Sequence, residues 1–174
     1  MATLDILQYP DAFLRHRAAP VEVVDGEVRA LIDDMLETMY AAPGIGLAAT
    51  QVGADRRVAV LDVSDLKDAP LVLVNPVLRE ATGEQTMEEG CLSIPNVVDK
   101  VRRYEQVVVQ GLDRDGEAMQ CHADGLLAAC IQHEIDHLDG RLFIDHLSAL
   151  KRQRLDKRLA KQRRRDEPDR RAPV

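Results

Sequence analysis

Asp124-Gly125-Leu126-Leu127-Ala128-Ala129-Cys130-Ile131-Gln132-His133-Glu134-Ile135-Asp136-His137-Leu138-Asp139-Gly140 is the stretch whose reading decides the fold. Leu127, Ile131, Ile135 and Leu138 recur at helical spacing, so the stretch predicts a helix that starts after Asp124 and stops at Gly140. Strand-like segments precede it without a regular alternation of strands and helices. Short Val-rich runs at Arg57–Asp62, Leu71–Asn75 and Glu105–Leu112 read as strands, with weaker candidates at Val77–Thr86 and Glu117–His122. That order favours an α+β fold over a doubly wound sheet: mostly antiparallel sheets packed around this central helix.

Outward from the helix, Val28, Leu31, Ile32, Met35, Leu36 and Met39 predict a second amphipathic helix, ended by Pro43-Gly44-Ile45-Gly46, after which an extended, close-packed loop is expected. A short helical turn is expected within Asp11–Arg17. A C-terminal helix is expected from Ser148 to Arg165, with Pro168 and Pro173 at its frayed end. No internal repeat is present, and Arg163–Arg171 is the one biased segment.

With 174 residues, 45% apolar and 30% charged, the chain suits one compact domain. Residues 1–150 read as its main body and 151–174 as a basic helix and tail of the same domain. Aromatics make up only 3%, which argues against a base-stacking surface, and no DNA partner is expected. The net charge of −7 is unevenly spread: residues 151–174 carry 11 Lys and Arg against 4 Asp and Glu, and the first 150 carry 12 against 26. The basic end suits RNA or another anionic surface, or equally a solvated helix. Three cysteines, Cys91, Cys121 and Cys130, do not make a disulfide framework and fit a reducing compartment. Asp5 and Pro10 interrupt the N-terminus where a secretory signal needs a basic start and an apolar run, and no stretch is apolar enough to span a bilayer. A cytoplasmic protein with no membrane partner is expected.

On a helix, His133 and His137 stand about 6 Å apart on one face and can clamp one metal ion, with Glu134 to the side, free to handle a proton on water. A catalytic site of this kind needs a third protein ligand. Phe143 stands where metzincin proteases carry their third histidine. Cys130 lies seven residues from His137, about 10.5 Å along the axis, too far for both to meet one ion. Cys91 is the favoured third ligand, in Glu88-Glu89-Gly90-Cys91-Leu92-Ser93-Ile94-Pro95, where Gly90 allows close backbone approach. Alone it would read as a small buried residue; beside the histidine pair it reads as a ligand. One thiolate and two imidazoles suit Fe(II), Zn(II), Ni(II) or Co(II). Asp136, Asp139 and His146 read as helix-surface groups or as supports that orient the ligands.

Three segments, Gly44-Ile45-Gly46-Leu47-Ala48-Ala49-Thr50-Gln51, Glu89-Gly90-Cys91-Leu92-Ser93 and Gln132-His133-Glu134-Ile135-Asp136-His137, together resemble peptide deformylase of the bacterial type, in order and in spacing. The resemblance runs over nearly the whole chain. It implies removal of the formyl group from N-formylmethionine at the start of new polypeptides, releasing formate, with one divalent ion, generally Fe(II) in the most active form. It implies Cys91, His133 and His137 as ligands, Glu134 as acid and base, and the Gln51 side-chain amide and Leu92 N–H as oxyanion donors. The Gly44–Gly46 loop and the Glu89–Cys91 segment would flank an extended substrate, Ile45 and Gly90 included. Gly46, Met87, Glu89, Leu126, Ala129, Cys130 and His133 would line the methionine pocket, although core packing explains Leu126 and Ala129 equally well. Relatives resembled here carry Arg where this chain has Val98, and Arg102 or Arg103 is expected to replace it. The family also meets nascent chains at the ribosome through its C-terminal helix. Two alternatives remain at this point: a metalloendopeptidase, which the histidine helix alone also suits, and a ribosome-binding module with a structural metal.

Overall fold

The computed structural model describes residues 2–166, so Pro168, Pro173 and the part of Arg163–Arg171 beyond 166 lie outside the described residues. The chain divides into two compact units, one closing at Phe143 and the other opening at Ile144.

In the first unit the expected helix after Gly26 is α1 (Gly26–Ala41), opened by Asp25, whose carboxylate accepts from Val28 N–H. Its buried stripe is Val28, Ile32, Met35 and Met39. Five strands, β1 (Gly46–Ala48), β2 (Val58–Leu61), β3 (Leu71–Thr82), β6 (Gln106–Leu112) and β7 (Ala118–Asp124), form one antiparallel sheet in that spatial order. β4 (Gln85–Cys91) and β5 (Ile94–Arg103) form a hairpin that pairs with neither neighbour of that sheet. The architecture is α+β, as the order of strands and helices implied.

β2 is buried along its whole length because it is covered on both faces. Val58 and Val60 join Leu47, Val74 and the α1 stripe in one core, while Leu61 joins Leu73, Val109, Ala128 and Ile131 in another, against α2 (Gly125–Leu138). α2 therefore lies in the interior, with Gln132, His133, Glu134 and His137 all buried. It stops at Gly140, where φ is +77° and a Cβ would stand 2.3 Å from the Arg15 carbonyl oxygen, so only glycine fits.

The structure corrects three expectations. The loop after Pro43 contains the short strand β1 followed by a 3-10 turn at Ala49–Val52. Leu71–Asn75 and the next candidate are one strand, β3, which ends at Thr82; Asn75-Pro76 is a bulge, with the Asn75 amide bonded both ways to the Val21 backbone. The hairpin at residues 85–103 was not anticipated, because Glu89 and Arg103 point inward with Met87 and Val101 and hide the period-two pattern.

The 3-10 turn Phe143–His146 starts at the last residue of the first unit and leads into the second, whose helix is α3 (Ala149–Asp166). Leu155 is its buried residue, Lys157, Arg158 and Lys161 are exposed, and Arg152 pairs with Asp145 at 3.2 Å.

Candidate metal centre

α2 places His133 and His137 one turn apart, and their Nε2 atoms face each other at 3.1 Å, with ring planes inclined at 64°. Cys91 ends β4, just before the two-residue turn Leu92-Ser93, and its Sγ stands 3.3 Å from His137 Nε2. All three donor atoms lie within 4.8 Å of one another. Ligands about 2.0–2.3 Å from a tetrahedral centre stand roughly 3.3–3.7 Å apart, close to the 3.1 Å between the two Nε2 atoms and the 3.3 Å from Sγ to His137 Nε2. Lone pairs of two imidazoles and a sulfur converging this way repel one another unless positive charge lies among them. The group therefore fits a divalent cation, as the spacing of the histidines and the chemistry of Cys91 implied.

The two histidines are braced from behind. His133 Nδ1 meets Glu89 Oε1 at 2.9 Å, which sets the proton on Nδ1 and leaves the Nε2 lone pair for an ion. Burial works against ionisation of Glu89, but bonds from the Arg103 guanidinium and the His133 ring outweigh it and hold the carboxyl at about 2. Thr50 Oγ1 donates to the His137 carbonyl at 3.1 Å. Phe143 stacks on His133 at 6.1 Å, so the position of the absent third histidine holds a packing ring.

Glu134 is 2% exposed, and burial pushes its carboxyl up to about 7. Its Oε2 has no hydrogen-bond partner among the described residues. Gln51 is fixed at one end, where Oε1 accepts from Ala48 N–H at 2.9 Å, so that Nε2 faces Ser93 Oγ at 3.1 Å and Cys91 Sγ at 3.5 Å. Leu92 sits in the hairpin turn, which leaves its N–H outside the β4–β5 ladder.

These groups open onto a cavity of about 390 Å3. Ile45 and Gly46 line one wall, Met87, Glu89 and Gly90 of β4 another, and Leu126, Ala129 and Cys130 of α2 the third, with Gln51, Cys91, Leu92, His133 and Glu134 at its inner end. His137 is buried behind that lining. Burial pushes the Cys130 thiol well above its ordinary range, so this wall is uncharged there. Val98 lines the rim and is 62% exposed. Neither arginine takes the place expected of it: Arg102 pairs with Glu84, and Arg103 is buried against Glu89 and Asp136. Ser93, Thr50 and Phe143 are supports that the sequence does not reveal as such, and Arg103, expected to contact substrate, is a support as well. Thr50 and Ser93 meet partners 87 and 42 residues away, so no fixed spacing in sequence marks them as supports.

Residues 3–153 match the model of the family described as polypeptide deformylase. The chain belongs to the peptide deformylase family. Peptide deformylase 1 of Pseudomonas syringae pv. tomato is 54% identical over 163 residues, covering 93% of this chain and 97% of that protein. The crystal structure of a peptide deformylase from Legionella pneumophila is 46% identical with a TM-score of 0.88, covering 96% of this chain and 100% of that one. The peptide deformylase from Ehrlichia chaffeensis in complex with actinonin is 38% identical with a TM-score of 0.89, covering 94% of this chain and 99% of that one. As a peptide deformylase the chain is a hydrolase of protein biosynthesis that removes the N-formyl group from newly made polypeptides. Among the described residues, no helix is long and apolar enough to cross a membrane.

Proposed function

We propose that Cys91, His133 and His137 together hold one divalent ion, Fe(II) by preference with Zn(II), Ni(II) or Co(II) acceptable to the same donors, and that formylmethionine is hydrolysed beside it. The observation that carries this reading is the convergence of Sγ and two Nε2 atoms next to a buried carboxylate. When bound, such an ion supplies Lewis acidity, easing deprotonation of water and drawing electron density from a carbonyl oxygen.

Glu134 accepts the proton of the attacking water at its carboxylate and returns it to the methionine nitrogen as the formyl C–N bond breaks, releasing formate and a free amine. Negative charge grows on the formyl oxygen during the attack. The Gln51 Nε2–H and the Leu92 backbone N–H donate to that oxygen, and Gln51 is ready to do so because Ala48 already holds its other end.

The methionine side chain enters the cavity between Met87, Leu126, Ala129 and Cys130, where apolar atoms suit a thioether. Glu89 contributes its stem there, since its carboxylate is engaged by Arg103 and His133. The backbone of the substrate runs between Ile45-Gly46 and Glu89-Gly90 as an added strand, so side chains beyond methionine matter less. The protein works in the cytoplasm on formylated nascent chains, and the exposed cations of α3 bring it to the ribosome.

The test is formate release from formyl-Met-Ala-Ser by anaerobic Fe(II)-loaded protein. Glu134→Ala is expected to lower kcat at least about 100-fold. Turnover close to the parent rate in that variant would remove Glu134 from the mechanism.

A further inference from the structure

The β4–β5 hairpin that carries Cys91 shares no ladder with the five-stranded sheet, while the other two ligands sit on α2. Backbone hydrogen bonding within the sheet therefore does not set the distance from sulfur to imidazoles; contacts from other elements do, among them Tyr9 N–H on the Ser93 carbonyl at 2.8 Å and the side chains that join hairpin to helix. Neutral bonds contribute: Gln85 Nε2 donates to the Gly125 carbonyl, and Gln132 exchanges bonds with the Tyr104 backbone. Arg103 adds an ionic bridge. Its Nε and Nη2 each donate to Glu89 at 2.8 Å, and its Nη1 donates to Asp136 of α2 at 2.6 Å. The Glu89 oxygen that accepts from Nη2 also receives His133 Nδ1.

We propose that Arg103 is a positioning residue for the metal centre: by binding Glu89 of β4 and Asp136 of α2 at once, it docks the Cys91 hairpin on the histidine helix and holds the His133 ring through Glu89. Its side chain is only 4% exposed, so the planar fork is locked at both ends, and a lysine, with a single charged nitrogen, has no fork to satisfy both carboxylates in this way. The bridge acts on two ligands together, on Cys91 through the strand and on His133 through the carboxylate. Removing a partner that orients a ligand typically costs about 10- to 100-fold in metal affinity. The inference rests on the assignment of Cys91, His133 and His137 as ligands, and not on the reaction they serve.

Arg57 supplies a matched control. It bridges the start of β2 to Asp139 at the end of α2 at 2.9 Å, yet touches no ligand side chain. The experiment uses the full chain loaded with Co(II), following release to a chelator and the sulfur-to-cobalt absorption band. Arg103→Lys is expected to speed release about 10-fold or more and to shift the band, Asp136→Asn to do so in the same direction, and Arg57→Lys to leave both within about twofold. Release and spectrum within twofold of the parent in Arg103→Lys overturn the proposal, as does an equal effect from Arg57→Lys. Should Arg103→Lys not fold, Asp136→Asn decides in the same terms. A parent chain that takes up no Co(II) overturns the ligand assignment and this inference with it, whereas unchanged release overturns this inference alone.

Discussion

Gly46 lies so close to Glu134 that a Cβ at position 46 would stand 2.5 Å from Glu134 Oε1 and 3.0 Å from Cys130 Sγ. The glycine leaves the room in which the carboxylate rests beside the ligands. Gly46→Ala is expected to displace Glu134 and lower kcat/KM on formyl-Met-Ala-Ser about 100-fold, since a shift near 1 Å in a catalytic group has that scale of effect. Co(II) binding should be retained, because Gly46 supplies no ligand. Activity within threefold of the parent would show that the carboxylate tolerates the displacement.

A ligand that binds only the folded chain stabilises it by mass action. Co(II) at 100 times its Kd is expected to add about 2.7 kcal/mol to unfolding, a rise in Tm of roughly 5–10 °C for a chain of this size. Cys91→Ala should abolish most of the rise, as should a chelator in excess of the Co(II). Calorimetry that finds the full shift in Cys91→Ala would take Cys91 out of the ligand set.

Asp62, directly after β2, is buried and accepts from Tyr40 Oη at 2.6 Å and Ser64 N–H at 2.9 Å. Burial works against its ionisation, but bonds from the Ser64 and Tyr40 hydroxyls outweigh it and hold the carboxyl at about 2. A carboxyl with a depressed value stabilises the fold above the unfolded value near 4 and loses that contribution as pH falls through about 2. Asp62→Asn should therefore cost about 2 kcal/mol at pH 7 in urea unfolding, with the gap to the parent closing as pH drops from 4 towards 2. A gap that stays constant across that range would mean the charge of Asp62 is not the source of its effect.

The cations of α3 are exposed at Lys157, Arg158 and Lys161. Replacing these three by Glu should weaken ribosome binding at least tenfold at low salt and flatten its salt dependence, while turnover of formyl-Met-Ala-Ser stays within twofold. Sedimentation with ribosomes over a range of salt checks both; equal affinity of parent and variant removes the helix as the contact.

Much of the fold was legible where one face of an element is apolar and the period is clean. Val28, Ile32, Met35 and Met39 announce α1, and the unbroken run at Val58–Leu61 announces a strand covered on both sides. The hairpin of residues 85–103 is hidden because its inward positions include Glu89 and Arg103, whose burial depends on charged and polar partners, each other with Asp136 and His133. The same pair misled the reading of the substrate contacts: an arginine near the site suggests a group for substrate, but Arg103 is committed to Glu89 and Asp136.

By itself the sequence determined a pair of imidazoles able to share one ion, because histidines four apart on a helix share a face whatever surrounds them, and it singled out Cys91 as the favoured third donor by its residue type and motif. It determined also that Glu134 stands beside that pair. Only the tertiary structure decided how Cys91 reaches the imidazoles, 46 residues away from His137 along the chain and on a hairpin of its own. That decision lies in side-chain bridges between separate elements, whose partners carry no fixed spacing in sequence and meet only once the chain has packed.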